Sequence, residues 1–402
     1  MENNILKNRD IIIISQQAWD TEIGSNCKDI ALEFSKNNRV LYVNSPLDRI
    51  TWIKRRSDPK IVRRLQVVKG KAEGLAKVNC RLWSYYPDCI VESINWLNIG
   101  FVFDFFNKIN NRRLAKAILK QIKRLNFKDY LLFNDSEMFK GFYLKEYLKP
   151  RLTIYYSRDY MVGVDYWKKH GVRIEPKLIQ KSDLCVTNTS FLKNYCNDFN
   201  SNTFDVGQGC NVIASDRHTQ KRPEELKSIK SKIIGYAGAL NSHRLDIDLI
   251  VVLALNFPSL AVVLVGAEDE QFQKSVLHVM PNVIFIGQKA HDQLSSYIQS
   301  FDVCINPQLI SNITIGNYPR KIDEYLHFGK PVVATYTPTM RIFRDSVLLA
   351  HSKLEFIEFI EYALKNDNAE LLELRKQVAS EHSWEKSVAK IYQAINQTQS
   401  IL

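Results

Sequence analysis

Short apolar strands alternate with helical segments through the second half of this chain, and this alternation restricts the fold more than any other feature. The predicted strands are Lys232–Ala237, Leu260–Val265, Val283–Ile286, Asp302–Ile305 and Pro331–Ala334, with Val347–Ala350 as a candidate sixth. The predicted helices between them are Leu245–Asn256, Asp269–Val279, His291–Ser300 and Arg320–Phe328. Continuous apolar strands are typical of parallel sheets covered on both faces. The pattern therefore predicts a doubly wound α/β domain.

The first half shows the same alternation, with strands at Asp10–Ser15, Val40–Val43, Tyr130–Phe133, Leu152–Tyr156 and Leu184–Thr187. At 402 residues the chain is too long for one typical domain of roughly 100–200 residues. We expect two Rossmann-like domains, residues 1–210 and 230–382, with a C-terminal helix over about residues 383–402 able to pack back on the first. Two such domains are expected to face a central cleft, with ligands at the carboxyl ends of the strands.

Several classes of protein are disfavoured by the sequence. No apolar stretch reaches the ~18 residues that a membrane-spanning helix requires. The apolar block Ile11–Ile14 follows Arg9 and Asp10, which is not the pattern of a signal peptide. The seven cysteines are scattered and contain no Cys-x-x-Cys pair, which argues against a disulfide framework or a zinc site. We expect reduced thiols in a cytoplasmic protein.

Positive charge is concentrated in the first half. Residues 1–200 hold 35 Lys and Arg against 21 Asp and Glu, a net charge of +14, whereas residues 201–402 have a net charge of −2. Two elements are strongly basic: the segment Arg49–Arg81, and a predicted helix that carries Arg112, Arg113, Lys116, Lys120, Lys123 and Arg124. They come with the apolar or aromatic residues Trp52, Ile53, Trp83, Tyr85 and Tyr86. This composition suits an anionic membrane surface, nucleic acid or a solvated face. The sequence has no helix-turn-helix, RRM or KH signature, so nucleic acid is not the expected partner.

Small or polar residues end four strands of the second half: Gly238, Gly266, Gly287 and the pair Asn306-Pro307. Glycine at a strand-to-helix turn lets backbone amides approach a phosphate at a helix N-terminus, although the same glycines also serve turn geometry alone. His243 and Arg244 could add positive charge beside the first of these turns. The strand ends at Gly266, Gly287 and Asn306-Pro307 predict room for a flat ligand.

The ordered segments GYAG, VVLVG, VIFIGQ, DVCINP and YPRKIDEYLHFGKPVVAT resemble the C-terminal half of GT-B glycosyltransferases, in particular the retaining nucleotide-sugar group (glycosyl transferases group 1). The resemblance is clearest from about Lys232 to Thr335, and the first half fits loosely. It implies that an acidic residue five positions before the Gly of the G-x-PVV motif binds the ribose hydroxyls of the nucleotide. That residue is Glu324, and a carboxylate can accept from both vicinal hydroxyls.

Many members of the group carry a second Glu, which would contact the transferred sugar, eight positions earlier, where this chain has Gly316. Backbone amides from Ile315 to Tyr318 are the expected substitute. Lys321 lies one helical turn before Glu324 and can share its face. We expect Lys321, alone or with Arg244, to neutralise the diphosphate leaving group as its charge develops.

The sequence DID at Asp246–Asp248 matches the Asp-x-Asp metal motif of the other glycosyltransferase fold. Its predicted position inside a helix turns the two carboxylates away from each other. We therefore expect a chance match, no metal and no separate cofactor.

Acceptor-side residues are expected at strand ends of the first half. In the resembling group the loop containing Gly24 and Ser25 borders the acceptor and the transferred sugar. Asn134 and Asp135 follow another strand, where Asp135 could orient the acceptor hydroxyl. Helix capping by Asp135 or by the following serine explains the same residues.

The preferred interpretation is a metal-independent, hexosyltransferase-like enzyme that moves a sugar from a nucleotide-diphosphate donor to a glycan or lipid-linked acceptor, in cell-surface polysaccharide biosynthesis. The resemblance favours retention of stereochemistry. The cysteine pattern favours a cytoplasmic location, and the basic and aromatic segments suit peripheral attachment to the inner membrane face. A nucleotide-sugar epimerase of the same architecture and a nucleic-acid-binding protein using the basic half are the alternatives. A dinucleotide dehydrogenase is disfavoured because GYAG lacks the Gly-x-Gly-x-x-Gly spacing.

Overall fold

A computed structural model describes residues 5–21, 25–210, 221–290 and 292–400. The chain divides into two compact units. Unit 1 is Met1–Gly209 with Trp384–Leu402, and unit 2 is Cys210–Ser383. The C-terminal helix therefore belongs with the first half of the chain rather than with the residues that immediately precede it.

Unit 1 is built on an eight-stranded sheet. Its strands are β1 (Asp10–Ser15), β2 (Arg39–Val43), β4 (Leu75–Lys77), β5 (Leu82–Tyr85), β7 (Leu131–Asp135), β8 (Leu152–Ser157), β9 (Leu184–Thr187) and β10 (Thr203–Asp205). The order across the sheet is β10-β9-β8-β7-β1-β2-β5-β4. Two short strands, β3 (Leu47–Asp48) and β6 (Ile90–Val91), form a separate parallel pair.

The helices of unit 1 are α1 (Asn26–Ser35), α2 (Arg49–Lys54), α3 (Pro59–Val68), α4 (Gly100–Leu125), α5 (Leu144–Leu148), α6 (Asp165–Lys181), α7 (Ser190–Asn197) and α14 (Trp384–Gln399). The last of these packs on α1, where Tyr392 stacks on Phe34 with ring centres 5.6 Å apart. The Tyr392 hydroxyl also accepts a 3.0 Å hydrogen bond from Asn38, so apolar and polar contacts together fix α14.

Unit 2 is built on a six-stranded parallel sheet: β11 (Ile233–Ala237), β12 (Ala261–Val265), β13 (Val283–Gly287), β14 (Val303–Asn306), β15 (Val332–Thr335) and β16 (Leu348–Ala350). Its order, β13-β12-β11-β14-β15-β16, places the first strand of the unit beside the fourth. This is the doubly wound order, in which the direction of winding reverses between β11 and β14.

The helices of unit 2 are α8 (Ile247–Asn256), α9 (Glu270–Gln273), α10 (Leu294–Ser300), α11 (Lys321–His327), α12 (Lys353–Asn366) and α13 (Ala369–Glu381). Apolar side chains fill the space on both faces of the sheet. Gly235, for example, lies under the Phe301 ring, and a Cβ at Gly235 would lie 2.1 Å from that ring. Helices on both faces explain why the strands are apolar throughout.

The α/β class and the doubly wound sheets predicted from the sequence are confirmed. One detail differs, because β4 pairs with β5 in the antiparallel direction at the sheet edge. The predicted helix over Asp269–Val279 is also interrupted, as α9 ends at Gln273 and a 3-10 helix covers Val276–Val279. No helix in the described ranges is long and apolar enough to cross a membrane.

Candidate functional site

The reversal of winding in unit 2 brings together the loops that follow β11 and β14. The backbone N–H of Asp246 donates to the Pro307 carbonyl at 2.9 Å, and that of Leu309 donates to the Arg244 carbonyl at 2.8 Å. These bonds join the two loops into one wall at the carboxyl edge of the sheet. Ligands of open α/β sheets bind at this position.

Three glycines form the floor beside this wall. The Gly238 N–H donates to the Val265 carbonyl at 2.9 Å, and the Gly266 N–H donates to the Gly287 carbonyl at 3.0 Å. A Cβ at Gly266 would lie 1.9 Å from the Gly238 carbonyl oxygen, and the φ angle of Gly266 is +157°. Only glycine permits this close approach of two backbone turns. The predicted residues Gly238, Gly266 and Gly287 thus lie on neighbouring strand ends.

Lys321 reaches the same floor from the first turn of α11. Its ammonium nitrogen donates a hydrogen bond to the Tyr236 hydroxyl and lies 4.1 Å from the centre of the Tyr236 ring. A Cβ at Gly238 would come within 3.0 Å of this nitrogen. Burial lowers the pKa of the Lys321 ammonium to about 7, while Glu324 acts to raise it and Arg244 acts to lower it further. With this pKa the Lys321 amine is only partly protonated near neutral pH, and a bound anion would increase the protonated fraction.

Helix α11, from which Lys321 reaches Tyr236, is anchored to this edge of the sheet. The hydroxyl of Tyr325 accepts a 2.9 Å hydrogen bond from the Ala237 N–H and donates to the Ala237 carbonyl at 3.3 Å. This contact ties the helix to the last residue of β11. Glu324 is half-buried and Lys321 is within its electrostatic range.

The remaining donor-side candidates differ in exposure. Asn306 and Pro307 are buried at the end of β14, and the Asn306 amide lies 3.5 Å from Gln308. His243 and Arg244 are exposed on the loop after β11. Their side chains are therefore accessible to a ligand at this edge, whereas Asn306 contributes to the shape of the loop.

Tyr318 takes part in a polar cluster that the sequence did not reveal. The Tyr318 hydroxyl lies 3.1 Å from His382 Nδ1, and the same nitrogen lies 2.7 Å from the carboxylate of Asp323. Asp323 is fully buried, and burial raises the pKa of its carboxyl. The cluster fixes the turn that precedes α11. In the sequence Asp323 is simply the acidic residue before Glu324. Its contact with His382, 59 positions away, could not be predicted from its sequence neighbours.

The Asp-x-Asp sequence serves a structural purpose. Asp246 precedes α8 rather than lying inside a helix as the sequence suggested, and its side chain accepts the Leu249 N–H at 2.9 Å. Asp248 is exposed on the first turn of α8. Among the described residues no group of three or more His, Cys, Asp and Glu side chains is arranged to hold a metal ion.

On the acceptor side, Gly24 lies outside the described residues. Ser25 is buried and is the N-cap of α1, where its hydroxyl accepts the Lys28 N–H at 3.4 Å. Asn134 is also buried, and its side-chain oxygen accepts the Glu137 N–H at 2.9 Å. Ser25 therefore caps α1, whereas Asn134 closes the turn after β7, and neither Asp135 nor the serine after it caps a helix.

Asp135 lies at the end of β7 in a buried polar network. Its carboxylate accepts a 2.8 Å hydrogen bond from Arg158 Nε, and the other oxygen lies 3.4 Å from the Ser15 hydroxyl. Burial raises the pKa of the Asp135 carboxyl, against the opposing effect of Arg158. Arg158 also donates to Asp159 at 2.9 Å. The segment Arg158-Asp159 is thus an ion-paired strand end that holds Asp135.

Comparison with known proteins shows that unit 2 is similar to glycosyltransferase domains. Residues 231–366 match the family model described as glycosyl transferases group 1. A putative teichuronic acid biosynthesis glycosyltransferase, TuaH of Bacillus subtilis (strain 168), is 27% identical over 168 residues. That match covers 40% of this chain and 42% of the TuaH sequence, so it spans less than half of either protein.

Solved structures share the whole fold. Anabaena Alr3699/HepE in complex with UDP has a TM-score of 0.65 at 15% identity, over 98% of this chain and 100% of that one. An α,α-trehalose-phosphate synthase (UDP-forming) from Burkholderia vietnamiensis has a TM-score of 0.68 at 10% identity, over 98% and 99% of the two chains. At these identities the likeness concerns the fold, and it confirms the expected GT-B class with two Rossmann-like domains.

Proposed function

We propose that this chain, whose residues 231–366 match the glycosyl transferases group 1 family model, transfers a sugar from a nucleoside diphosphate donor to a glycan or lipid-linked acceptor. The observation that carries the proposal is the position of Lys321 against Tyr236, beside the Gly238 turn. A cation at a glycine-lined strand end suits a diphosphate, because backbone amides can approach its oxygens while the ammonium neutralises its charge.

The reaction assigns a task to each donor-side group. The bond between the anomeric carbon and the diphosphate oxygen breaks, the bond to the acceptor oxygen forms, and the acceptor hydroxyl releases its proton. The leaving diphosphate gains negative charge, which Lys321 and the exposed Arg244 can stabilise in the transition state. Glu324 would accept from the ribose hydroxyls. With two cations in this role, we propose that the enzyme needs no divalent metal.

The uridine nucleotide is the first donor to test. HepE was solved with UDP and with UDP-glucose, and the relative TuaH is named for teichuronic acid biosynthesis. These names support a hexosyl donor and a role in the synthesis of a cell-surface polysaccharide. We place the reaction in the cytoplasm and propose retention of stereochemistry on the basis of the resembling group.

On the acceptor side we propose the strand ends that carry Asn134 and Asp135. The Asp135 carboxylate is turned toward Arg158, so a direct contact with an acceptor hydroxyl would require its side chain to move. In its present position Asp135 would instead hold the Arg158 side chain in place through their hydrogen bond.

A thermal-shift and calorimetry screen against UDP, GDP, ADP, CMP and dTDP tests the donor proposal. A ligand that binds only the native state raises the melting temperature, by an amount that depends on its concentration relative to Kd. We expect a clear shift with UDP. No shift with any of the five nucleotides would contradict the proposal. Incubation with UDP-glucose and product analysis then separates transfer to an acceptor from epimerisation of the donor.

A further inference from the structure

Unit 1 carries a group of large apolar side chains that are exposed rather than packed. We call Trp96, Ile99, Phe101, Phe105 and Tyr166 the aromatic patch. Their exposed fractions are 66%, 55%, 77%, 62% and 58% in that order. Single exposed apolar residues are ordinary, but a contiguous group marks an interaction surface. Four of these five residues lie within ten consecutive positions of the chain.

Hydrogen bonds hold the aromatic patch in a defined shape. The indole N–H of Trp96 donates to the Ser93 carbonyl at 2.7 Å, and the Lys169 ammonium donates to the Trp96 carbonyl at 2.8 Å. The Asn95 amide donates to the Tyr166 carbonyl at 2.6 Å, which brings the start of α6 next to this loop. The segment before α4 and the start of α6 therefore form one surface.

The outer face of α4 continues the aromatic patch with positive charge. Phe101 and Phe105 are followed at helical spacing by the exposed residues Lys108, Arg112 and Lys116. Residues three or four positions apart share a helix face, so these five side chains form one stripe. The opposite face of the helix is buried, through residues that include Phe103, Leu114 and Ile118.

Among the residues that the structure describes, no acidic partner neutralises the cations of this stripe. In the described part of the chain, Lys108, Arg112 and Lys116 form no ion pair, whereas other basic residues of α4 do: Arg113 with Glu92, Lys120 with Asp88, and Arg124 with Glu73. The stripe thus combines two exposed rings at one end with three cations that form no ion pair among the described residues.

Helix α2 is tied to the same surface. The Ile50 N–H donates to the Ser93 hydroxyl at 3.0 Å, and Arg49 forms an ion pair with Glu92 at 2.7 Å. Ile53 on this helix is 61% exposed. Arg55 and Arg56 follow it and are also exposed, so α2 extends the charged apolar surface.

Several basic and aromatic residues that the sequence singled out in the first half are not exposed to a partner in the structure. Of the aromatic residues singled out in the sequence, Tyr85 is buried and Trp83 packs edge-on against Phe127. Arg64 is half-buried, pairs with Asp20 at 3.4 Å and lies over the Tyr86 ring. The available surface therefore consists of the aromatic patch, the α4 stripe and the exposed residues at the end of α2.

We propose that the aromatic patch and the cationic stripe of α4 dock this protein on an anionic phospholipid membrane. Aromatic rings favour the membrane–water interface, and Lys and Arg beside them attract anionic headgroups. A second copy of the chain is a poorer occupant, because two identical cationic faces repel each other. The surface belongs to unit 1 alone, so this proposal does not depend on the donor site.

Vesicle sedimentation tests the proposal with the full chain. Wild-type protein should pellet with vesicles of phosphatidylcholine containing phosphatidylglycerol and remain in solution with pure phosphatidylcholine. Lys108→Gln/Arg112→Gln/Lys116→Gln should lower the partition coefficient about 100-fold, at ~1 kcal/mol per cation. Phe101→Ser/Phe105→Ser should lower it at least ~10-fold, because two exposed rings lose their apolar contact with lipid.

Matched controls in unit 2 separate docking from general charge and hydrophobicity. Lys230→Gln/Lys232→Gln/Arg341→Gln removes the same charge from exposed cations that form no ion pair among the described residues. Val279→Ser/Leu354→Ser removes two apolar side chains that are 79% and 73% exposed. Both controls should bind vesicles as the wild type does. Circular dichroism should show that all variants are folded.

The proposal is overturned if wild-type protein does not pellet with anionic vesicles, or if the controls and the α4 variants lose binding equally. It is also overturned if Phe101→Ser/Phe105→Ser abolishes a dimer seen by sedimentation equilibrium and leaves vesicle binding unchanged. UDP binding is measured separately in solution, so failure of docking and failure of the donor proposal give different results.

Discussion

The ammonium nitrogen of Lys321 lies 4.1 Å from the centre of the Tyr236 ring and donates to the hydroxyl of the same residue. The two residues are 85 positions apart and meet at the end of β11. Burial in this position costs the ammonium its hydration, which is why its pKa falls to about 7. The pair gives unit 2 a cation whose charge depends on what binds beside it.

The first prediction is that binding of UDP weakens as pH rises above 7. Lys321 is largely neutral above its pKa of about 7, and a bound diphosphate favours the ammonium, so binding must take up a proton. The affinity should fall by up to about tenfold per pH unit between pH 7 and 9, where a phosphate with a pKa of about 6 is already ionised. Calorimetry in buffers of different ionisation enthalpy measures the proton uptake.

Lys321→Met provides the control for this linkage. Its UDP affinity should be low and independent of pH over the same range, and a pH dependence equal to that of the wild type would assign the proton to another group.

The effect of Lys321 on the free energy of unfolding changes with pH in the opposite direction to that of an ordinary ion-paired lysine. Because the native pKa lies below the unfolded value of about 10.4, Lys321 is more destabilising at pH 6 than at pH 9. The variant should therefore gain more in melting temperature at pH 6.

The second prediction concerns Glu324. Glu324→Ala should weaken UDP binding by about 1.5–3 kcal/mol, the value of charge-assisted hydrogen bonds to the ribose. Glu358→Ala, an exposed Glu on α12, is the matched control and should bind UDP normally. Calorimetry measures the Kd of UDP for both variants. Equal affinity of the two variants would show that Glu324 is not part of the donor site.

The third prediction compares two glycines of the floor. Gly266→Ala should destabilise the protein by more than the ~1–3 kcal/mol expected for backbone strain, because its Cβ would also meet the Gly238 carbonyl at 1.9 Å. Gly287→Ala has a φ of +76° but no atom within 4 Å of the added Cβ, so it should cost only about 1–2 kcal/mol. Urea unfolding measures both. If Gly287→Ala were the more damaging variant, the close approach would not be what requires glycine.

The fourth prediction concerns the buried ion pair of unit 1. Arg158→Met leaves the fully buried Asp135 carboxylate without its cation and should cost about 3–5 kcal/mol. Arg173→Met breaks the exposed pair with Asp104 and should cost about 0–1 kcal/mol. A similar loss for both variants in urea unfolding would show that burial does not decide the effect.

The fifth prediction is that turnover continues in EDTA. It follows from the proposal that Lys321 and Arg244 neutralise the leaving diphosphate, and from the use of the Asp246 carboxylate as a helix cap. The assay compares turnover of UDP-glucose in EDTA with turnover after addition of manganese or magnesium. Loss of activity in EDTA that either ion restores would refute metal independence.

The sequence by itself determined the five central strands of the unit 1 sheet and the six strands of unit 2, whereas the outer strands β10, β5 and β4 and the separate pair β3 and β6 were not predicted. The predicted strands Asp10–Ser15 and Leu184–Thr187 have the same bounds in the structure, and the other predicted strands differ by one or two residues at an end. Apolar runs report burial on both faces of a parallel sheet, and this information is local to each run. The end of α11 could also be predicted locally, because a glycine commonly follows the last turn of a helix. In the structure α11 ends at His327, and Gly329 has a φ of +69°, a value that favours glycine.

Only the tertiary structure decided which side chains meet and which face solvent. Lys321 could be placed on a helix from its spacing, but its contact with Tyr236 depends on two strand ends brought together by the winding of the sheet. Composition likewise marked the first half as basic and aromatic without showing that Tyr85 enters the core while Phe101 remains 77% exposed. A residue type states what a side chain can do, and the packing of distant segments determines its partner, because burial is a property of the whole fold.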